Sequence, residues 1–266
     1  MDFTVITANY NHGRFLAECL ASVAEQPGVS VEHLVIDGGS TDDSATVAAR
    51  FPHANWYQEP DKGMSDAINK GFARAQGEWV IWLNADDRLK PGVLAKIKAA
   101  AAHTSADVLY GDYDFIDEAG RYLRTIRVPS WSPFVHVHHC CYIGSTACFL
   151  RRATVISAGH RLREDFHYVM DGELYARLHA LGLNFERTAV NVADFRLHGG
   201  NASFRHLGKT RDLESILKAE RQHVESRAIR RAYGLTLFED PYLNGLADGA
   251  LWVVARAWKG LLRLKP

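Results

Sequence analysis

The sequence predicts an α/β fold in which a mostly parallel sheet is covered by helices on both faces. Three observations predict it. Short apolar runs recur between residues 3 and 83, stretches with helical spacing separate them, and glycine, proline or polar turns mark each change. Phe3 to Ala8 reads as the first strand. Gly13 to Gln26 follows as a helix with Phe15, Leu16, Leu20 and Val23 on one side, ended by Pro27-Gly28. His33 to Asp37 is a second buried strand. The turn Gly38-Gly39-Ser40-Thr41 then leads into a helix from Asp42 to Phe51, capped by Ser40 or Thr41. Asn55 to Gln58 is a third strand, and Met64 to Ala75 is a helix with Ile68, Phe72 and Ala75 on one face. Gly77 precedes WVIWL (Trp79 to Leu83), an unbroken apolar run that suits a strand covered on both sides.

After Lys90 the pattern changes. Asp107 to Phe115 and Tyr122 to Val128 alternate like strands around a turn at Glu118-Ala119-Gly120. Ser130 to Gly144 is irregular and rich in aromatic residues and histidine. Ala147 to Leu150 reads as a short strand and Ala153 to Ala158 as a short helix. Asp171 to Leu181 is an amphipathic helix with Leu174, Leu178 and Leu181 inward. Phe185 to Phe195 is a strand, and His206 to Arg231 is a long charged helix, mostly solvent-facing. The expected division is a catalytic domain over 1–205 and a helical extension over 206–266.

Composition narrows the function. The 266 residues can bury a sizeable core, and 31 Lys plus Arg balance 31 Asp plus Glu, which argues against a broad basic field for nucleic acid. The N-terminus enters a strand pattern without a basic and apolar leader. Four cysteines, two of them adjacent, do not form a disulfide framework at this length, so a reducing, cytoplasmic setting is expected. No stretch reaches the roughly 18 apolar residues of a membrane span.

Ligands on parallel α/β sheets bind beyond the carboxyl ends of the strands. Here those ends carry Asn9-Tyr10-Asn11, Asp37-Gly38-Gly39, Glu59-Pro60-Asp61-Lys62-Gly63 and Asn84-Ala85-Asp86-Asp87. Adjacent carboxylates at the end of a buried strand repel unless a cation sits between them and a ligand, a task suited to a hard divalent ion. Equally, Asp86 or Asp87 reads as the N-cap of a helix starting near Pro91.

Five passages decide between these readings: TVITANYN, VIDGGSTDDS, EPDKGMSDAINKGFARAQGEWVIWLNADD, MDGELYARL and FRLHGGNAS. In this order and spacing the chain resembles, from about Phe3 to Ser203, the family 2 glycosyltransferases, inverting enzymes built on the Rossmann-like GT-A fold. The resemblance implies a nucleotide diphosphate sugar as donor, a UDP-sugar first, a glycan or lipid-linked acceptor, and Mg²⁺ or Mn²⁺. It implies that Ala8, Asn9 and Tyr10 flank the nucleotide base and that Asp37 recognises it. Asp61, Lys62 and Gly63 would line the nucleotide, and Asp86 would face the ribose. Asp87 would meet the metal diphosphate, with His198 as a late ligand; Asn84 replaces an acid found in some members. Asp171 would be the catalytic base, although on its own it also reads as the cap of its helix. Processive members carry Gln-x-x-Arg-Trp and membrane helices; here Gln222 is followed by His223-Val224-Glu225-Ser226, so one sugar is added per encounter. The implied setting is bacterial surface polysaccharide, lipopolysaccharide or glycoconjugate synthesis. The alternatives are transfer to a soluble or protein acceptor, and a non-catalytic nucleotide-sugar-binding partner at the membrane.

Two segments remain. His136, His138, His139, Cys140 and Cys141 lack the spacing of a zinc site and read better as an acceptor-site loop. In Leu246 to Leu264, Asp248, Arg256, Lys259 and Arg263 share a sector of about 80° on a helical wheel. Val253, Val254, Trp258, Leu261, Leu262 and Leu264 lie opposite, a pattern that suits a membrane interface or a packed partner face.

Overall fold

The computed structural model describes residues 1–201, 213–234 and 241–262. The first half is the expected alternation: β1 (Phe3–Asn9), α1 (Gly13–Ala24), β2 (Val31–Asp37), α2 (Ser44–Ala48), β3 (Ala54–Gln58), α3 (Met64–Arg74) and β4 (Trp79–Trp82). The second half runs β5 (Arg88–Leu89), α4 (Val93–Ala101), β6 (Val108–Ile116), β7 (Tyr122–Ile126), α5 (Pro133–His138), β8 (Cys148–Arg151), α6 (Met170–Ala180), β9 (Phe185–Arg196), α7 (Leu213–Tyr233) and α8 (Pro241–Leu262). One sheet joins all the strands in the order β3-β2-β1-β4-β8-β6-β9-β5, with β7 beside the distal half of β6. β1 to β4 are parallel, β8 runs against β4 and β6, and β9 runs parallel to β6.

Strand alternation sorts the apolar residues onto two faces. Ile6, Leu34, Ile36 and Val80 pack with Ile68 and Phe72 of α3 and with Leu174 and Leu178 of α6. Phe3, Val5 and Ile81 pack with Cys19 and Val23 of α1 and Ile97 of α4. Gly77 lets the chain pass over β1, because a Cβ there would run into the backbone of Phe3 and Thr4. Registers Asn9↔Asp37 and Asp37↔Gln58 bring three strand ends to one rim, and β4 ends beside them.

Several elements depart from expectation. α2 is shorter because Asp42 stays outside it, its Oδ1 accepting from the Ser44 amide at 3.0 Å; Ser40 and Thr41 serve other partners. The irregular segment 130–144 contains α5, for which Ser132 is the N-cap and Pro133 the first helical residue. No helix begins at Pro91: β5 intervenes and α4 starts at Val93, which removes the cap reading of Asp86 and Asp87. The expected helix 153–158 is a single wide turn at Arg152–Ile156, and Leu181, past the end of α6, is exposed. Residues 206–212, 263 and 264 of the expected helices lie outside the described residues. α7 packs Ile229 into the core shared with α6. No described helix is long and apolar enough to cross a membrane.

Candidate active site

The rim at the ends of β1 and β2 is knitted by one carboxylate. Asp37 Oδ1 accepts from Asn9 Nδ2 at 2.7 Å and from the Ser40 hydroxyl, and its Oδ2 accepts from the amides of Gly39 at 3.1 Å and Ser40 at 2.9 Å. Asp37 is 0 % exposed. With four hydrogen bonds accepted, the carboxylate that was expected to recognise the base also holds the turn between β2 and α2. Asp61 is the carboxylate that reaches the surface at this corner. It lies against Gly38, where any Cβ would overlap its Oδ2, and its Oδ1 accepts from the Gly63 amide at 2.9 Å. Asn11, at φ 55°, turns its Oδ1 to the Thr41 amide at 2.8 Å and so ties the first two loops together. Tyr10 is exposed and Ala8 half-buried at the same rim, while exposed Lys62 stands 3.7 Å from Glu164.

The acidic turn after β4 divides its two carboxylates. Asp86 Oδ2 accepts from His198 Nε2 at 2.8 Å and from Asn201 Nδ2 at 3.2 Å. Asp87 turns inward and is 1 % exposed, its Oδ1 on the Arg196 amide at 2.9 Å and its Oδ2 on Asn84 Nδ2 at 3.0 Å. Burial, and then the neighbouring charge of Asp86, push the Asp87 carboxyl well above the usual range. An aspartate at 84 would add a third charge here, whereas Asn84 donates a hydrogen bond.

Among the described residues, the group that could hold a cation is His12, Asp86 and His198, whose ligand atoms lie within 4.8 Å of one another. His12 Nδ1 faces the Tyr10 carbonyl at 2.8 Å and must donate to it, which leaves Nε2 with its lone pair. Of the two residues expected to meet the metal, this group contains His198 and not Asp87, and it adds His12 and Asp86. His198 Nδ1 accepts from the Gly200 amide at 3.1 Å, so ligation through Nε2 would move the ring proton and release that contact.

Behind this turn lies Arg196, fully buried at the end of β9. Its Nε donates to the Asp86 carbonyl at 2.9 Å and its terminal nitrogens to the Glu118 carbonyl at 3.0 Å and Glu18 at 2.8 Å. Sequence reasoning missed Arg196, Glu18 and His12. FRLH gave a signal for the first; the other two are recognisable only once α1 is packed.

Asp171 stands in the first turn of α6, half-buried, with Oδ1 on the Gly172 amide at 2.7 Å. Burial pushes its carboxyl up to about 6, against the backbone amide that favours the charge. A helix N-terminus favours the ionised form, but desolvation is the larger effect here. The loop before it is tied by a residue that sequence reasoning also missed. The amides of His167, Tyr168 and Val169 donate to the Glu225 carboxylate of α7 at 2.9, 2.9 and 3.1 Å. Tyr233 of α7 adds a hydrogen bond to Glu173 at 3.0 Å.

The 136–141 segment walls this side without forming a metal group among the described residues. Buried His136 donates through Nε2 to the Gly172 carbonyl at 2.8 Å, and desolvation lowers its pKa to about 4. Cys141 lies against Gly172. Cys140 Sγ is 3.1 Å from Lys259 Nζ, and His139 packs on Trp252 with ring centroids 5.1 Å apart, both partners on α8.

Comparison with known proteins identifies the family and the fold. The profile of glycosyl transferase family 2 matches residues 4–149. An uncharacterized glycosyltransferase of Nostoc sp. is 26 % identical over 255 residues, covering 88 % of this chain and 78 % of its own. A PGL/p-HBAD biosynthesis glycosyltransferase of Mycobacterium bovis is 35 % identical over 117 residues; the match covers 41 % of this chain and less than half, 46 %, of that relative. The crystal structure of S. aureus TarS 1–349 in complex with UDP-GlcNAc superimposes with a TM-score of 0.63 at 17 % identity, over 96 % of this chain and 79 % of TarS, which establishes the shared GT-A-like fold. With the family profile spanning more than half of its length, the chain belongs to glycosyl transferase family 2 and is a glycosyltransferase.

Proposed function

We propose that this glycosyltransferase moves one sugar from a nucleotide diphosphate sugar, a UDP-sugar foremost, to an acceptor hydroxyl with inversion at the anomeric carbon. The observation that carries the reading is the pairing of a cation-ready His12–Asp86–His198 group at the strand ends with a single half-buried carboxylate, Asp171, raised to about 6. One such carboxylate is what a single displacement requires. The acceptor O–H gives its proton to Asp171 Oδ2 as its oxygen attacks the anomeric carbon. The bond from that carbon to the diphosphate oxygen breaks with its electron pair on the diphosphate. A glycoside hydrolase would need two flanking carboxyl groups instead. A divalent cation, Mn²⁺ or Mg²⁺, held by Asp86, His198 and His12, would neutralise the leaving diphosphate. Asn9, Tyr10, Asp61, Lys62 and Gly63 would line the nucleotide, with Asp37 supporting them from beneath.

The UDP preference is supported by the TarS structures, which were solved with UDP-GlcNAc and with UDP. A role in the synthesis of a surface glycan or related glycoconjugate is supported by the names of relatives. Besides the mycobacterial one, the O-antigen biosynthesis protein RfbC of Myxococcus xanthus is 32 % identical over 178 residues, a match covering 62 % of this chain and 13 % of that protein. The test is transfer from a panel of nucleotide sugars with Mn²⁺ present, reading the product's anomeric configuration by NMR. A product anomer opposite to the donor's is expected. Retained configuration, or no transfer from any donor, overturns the proposal.

A further inference from the structure

α8 packs on the catalytic domain the wrong way round for a helix bathed in water. Ala255, fully buried, and the edge carrying Lys259 face α5 and the segment after it, where Lys259 reaches Cys140 and lies 5.4 Å from the Tyr142 ring centroid. The opposite side presents Val253, Val254, Trp258 and Leu261, exposed by 59, 55, 49 and 57 % respectively. Ala250, Ala257 and Gly260 fill the gaps between them, so this outward sector carries no charge from residue 250 to 261. A surface helix in water does the reverse and turns its apolar stripe to the core.

We propose that this outward face of α8 seats in the surface of an anionic lipid bilayer. The charge around it fits that occupant. Arg256 borders the face with its guanidinium 5.3 Å from the Trp252 ring centroid, and Arg263 and Lys265 follow in the sequence, against a single acid, Asp248. Tryptophans beside a cationic border mark interfacial helices, and each cation near an anionic leaflet adds to the attraction. Through its opposite edge the same helix adjoins the loop beside Asp171: Trp252 packs on His139, Lys259 on Cys140, and Cys141 lies against Gly172, next to Asp171. A docked α8 would thus hold the base beside the headgroup layer, where a lipid-borne acceptor presents its hydroxyl. That last step rests on Asp171 being the base; binding to the bilayer does not.

The test is co-sedimentation of the full chain with phosphatidylcholine vesicles containing phosphatidylglycerol, compared with a Val254→Asp/Leu261→Asp variant. Both positions are more than half exposed, so the variant keeps its fold, and an unchanged melting temperature in the absence of lipid verifies this. Expected are pelleting of the wild type, weakened by salt, and partitioning at least about tenfold weaker for the variant. As a measurement free of any folding effect, brominated lipid should quench wild-type tryptophan emission more than that of Trp258→Phe. The proposal falls if the wild type stays in the supernatant or if the variant pellets equally. It falls also if sedimentation equilibrium finds a micromolar dimer that the variant abolishes while neither protein binds vesicles, since a second copy then covers the face.

Discussion

Replacing Asp171 with asparagine separates the chemistry of this carboxyl from its cost to the fold. The side chain keeps its shape, and its carbonyl oxygen still accepts from the Gly172 amide, now 2.7 Å away. What disappears is a charge that burial disfavours, since the carboxyl titrates at about 6 in the folded protein instead of the ordinary 3.8. That gap corresponds to roughly 3 kcal/mol. Because the residue is only half-buried, solvent screening leaves about 1–2 kcal/mol. The sign follows from the raised pKa. Below pH 3.8 the group is protonated in both states and exerts no penalty. Between 3.8 and about 6 the folded protein holds the extra proton, so wild-type stability falls as pH rises, and above 6 the penalty is complete. Asp171→Asn should therefore be more stable than wild type by about 1–2 kcal/mol at pH 8, with the advantage vanishing by pH 4. Its transfer rate should fall by ~10²–10⁴ with donor binding unchanged. Urea denaturation at several pH values and single-turnover transfer measure the two effects. An advantage that does not shrink with falling pH refutes burial as the cause, and transfer within a few-fold of wild type removes Asp171 as the base.

Three further outcomes follow from the same geometry. Asp86→Asn should abolish the enhancement of donor affinity by Mn²⁺, whereas Asp87→Asn should leave it in place; calorimetry with and without the cation decides, and the reverse pattern would return the cation to Asp87. Glu225→Gln removes the charge from three backbone hydrogen bonds and should cost about 2 kcal/mol of stability and about tenfold in turnover, with donor affinity unchanged. Turnover equal to wild type would make Glu225 a scaffold residue only. Arg196→Met should cost about 3 kcal/mol in denaturant unfolding, because the Asp86 and Glu118 carbonyls lose a buried donor. A loss within about 0.5 kcal/mol, typical of surface positions, would mean that Arg196 does not brace the acidic turn.

Much of this protein is written locally in its sequence. The apolar runs and their polar ends identify β1, β2 and β4 and the rim where Asn9, Asp37 and Asp86 gather, since strand alternation and turn chemistry act between near neighbours. The helical spacing from Asp171 onward placed that carboxyl in the first turn of α6, and the five passages named the family. What each carboxylate does was decided by register and packing instead. The folded chain supplies Asp37 with four donors, from Asn9, Gly39 and Ser40, and Asp87 with two, from Asn84 and Arg196, and none of these pairings is legible in the local sequence. Asp61 gains the open corner only because Gly38 lacks a Cβ. His12 joins Asp86 across 74 residues and Asp86 joins His198 across 112, and Glu225 grips the Asp171 loop from another helix, distances in sequence that no short-range pattern spans. The tail shows the division most plainly: a helical wheel separates its apolar and basic sides, but only docking on α5 determined which side would face out.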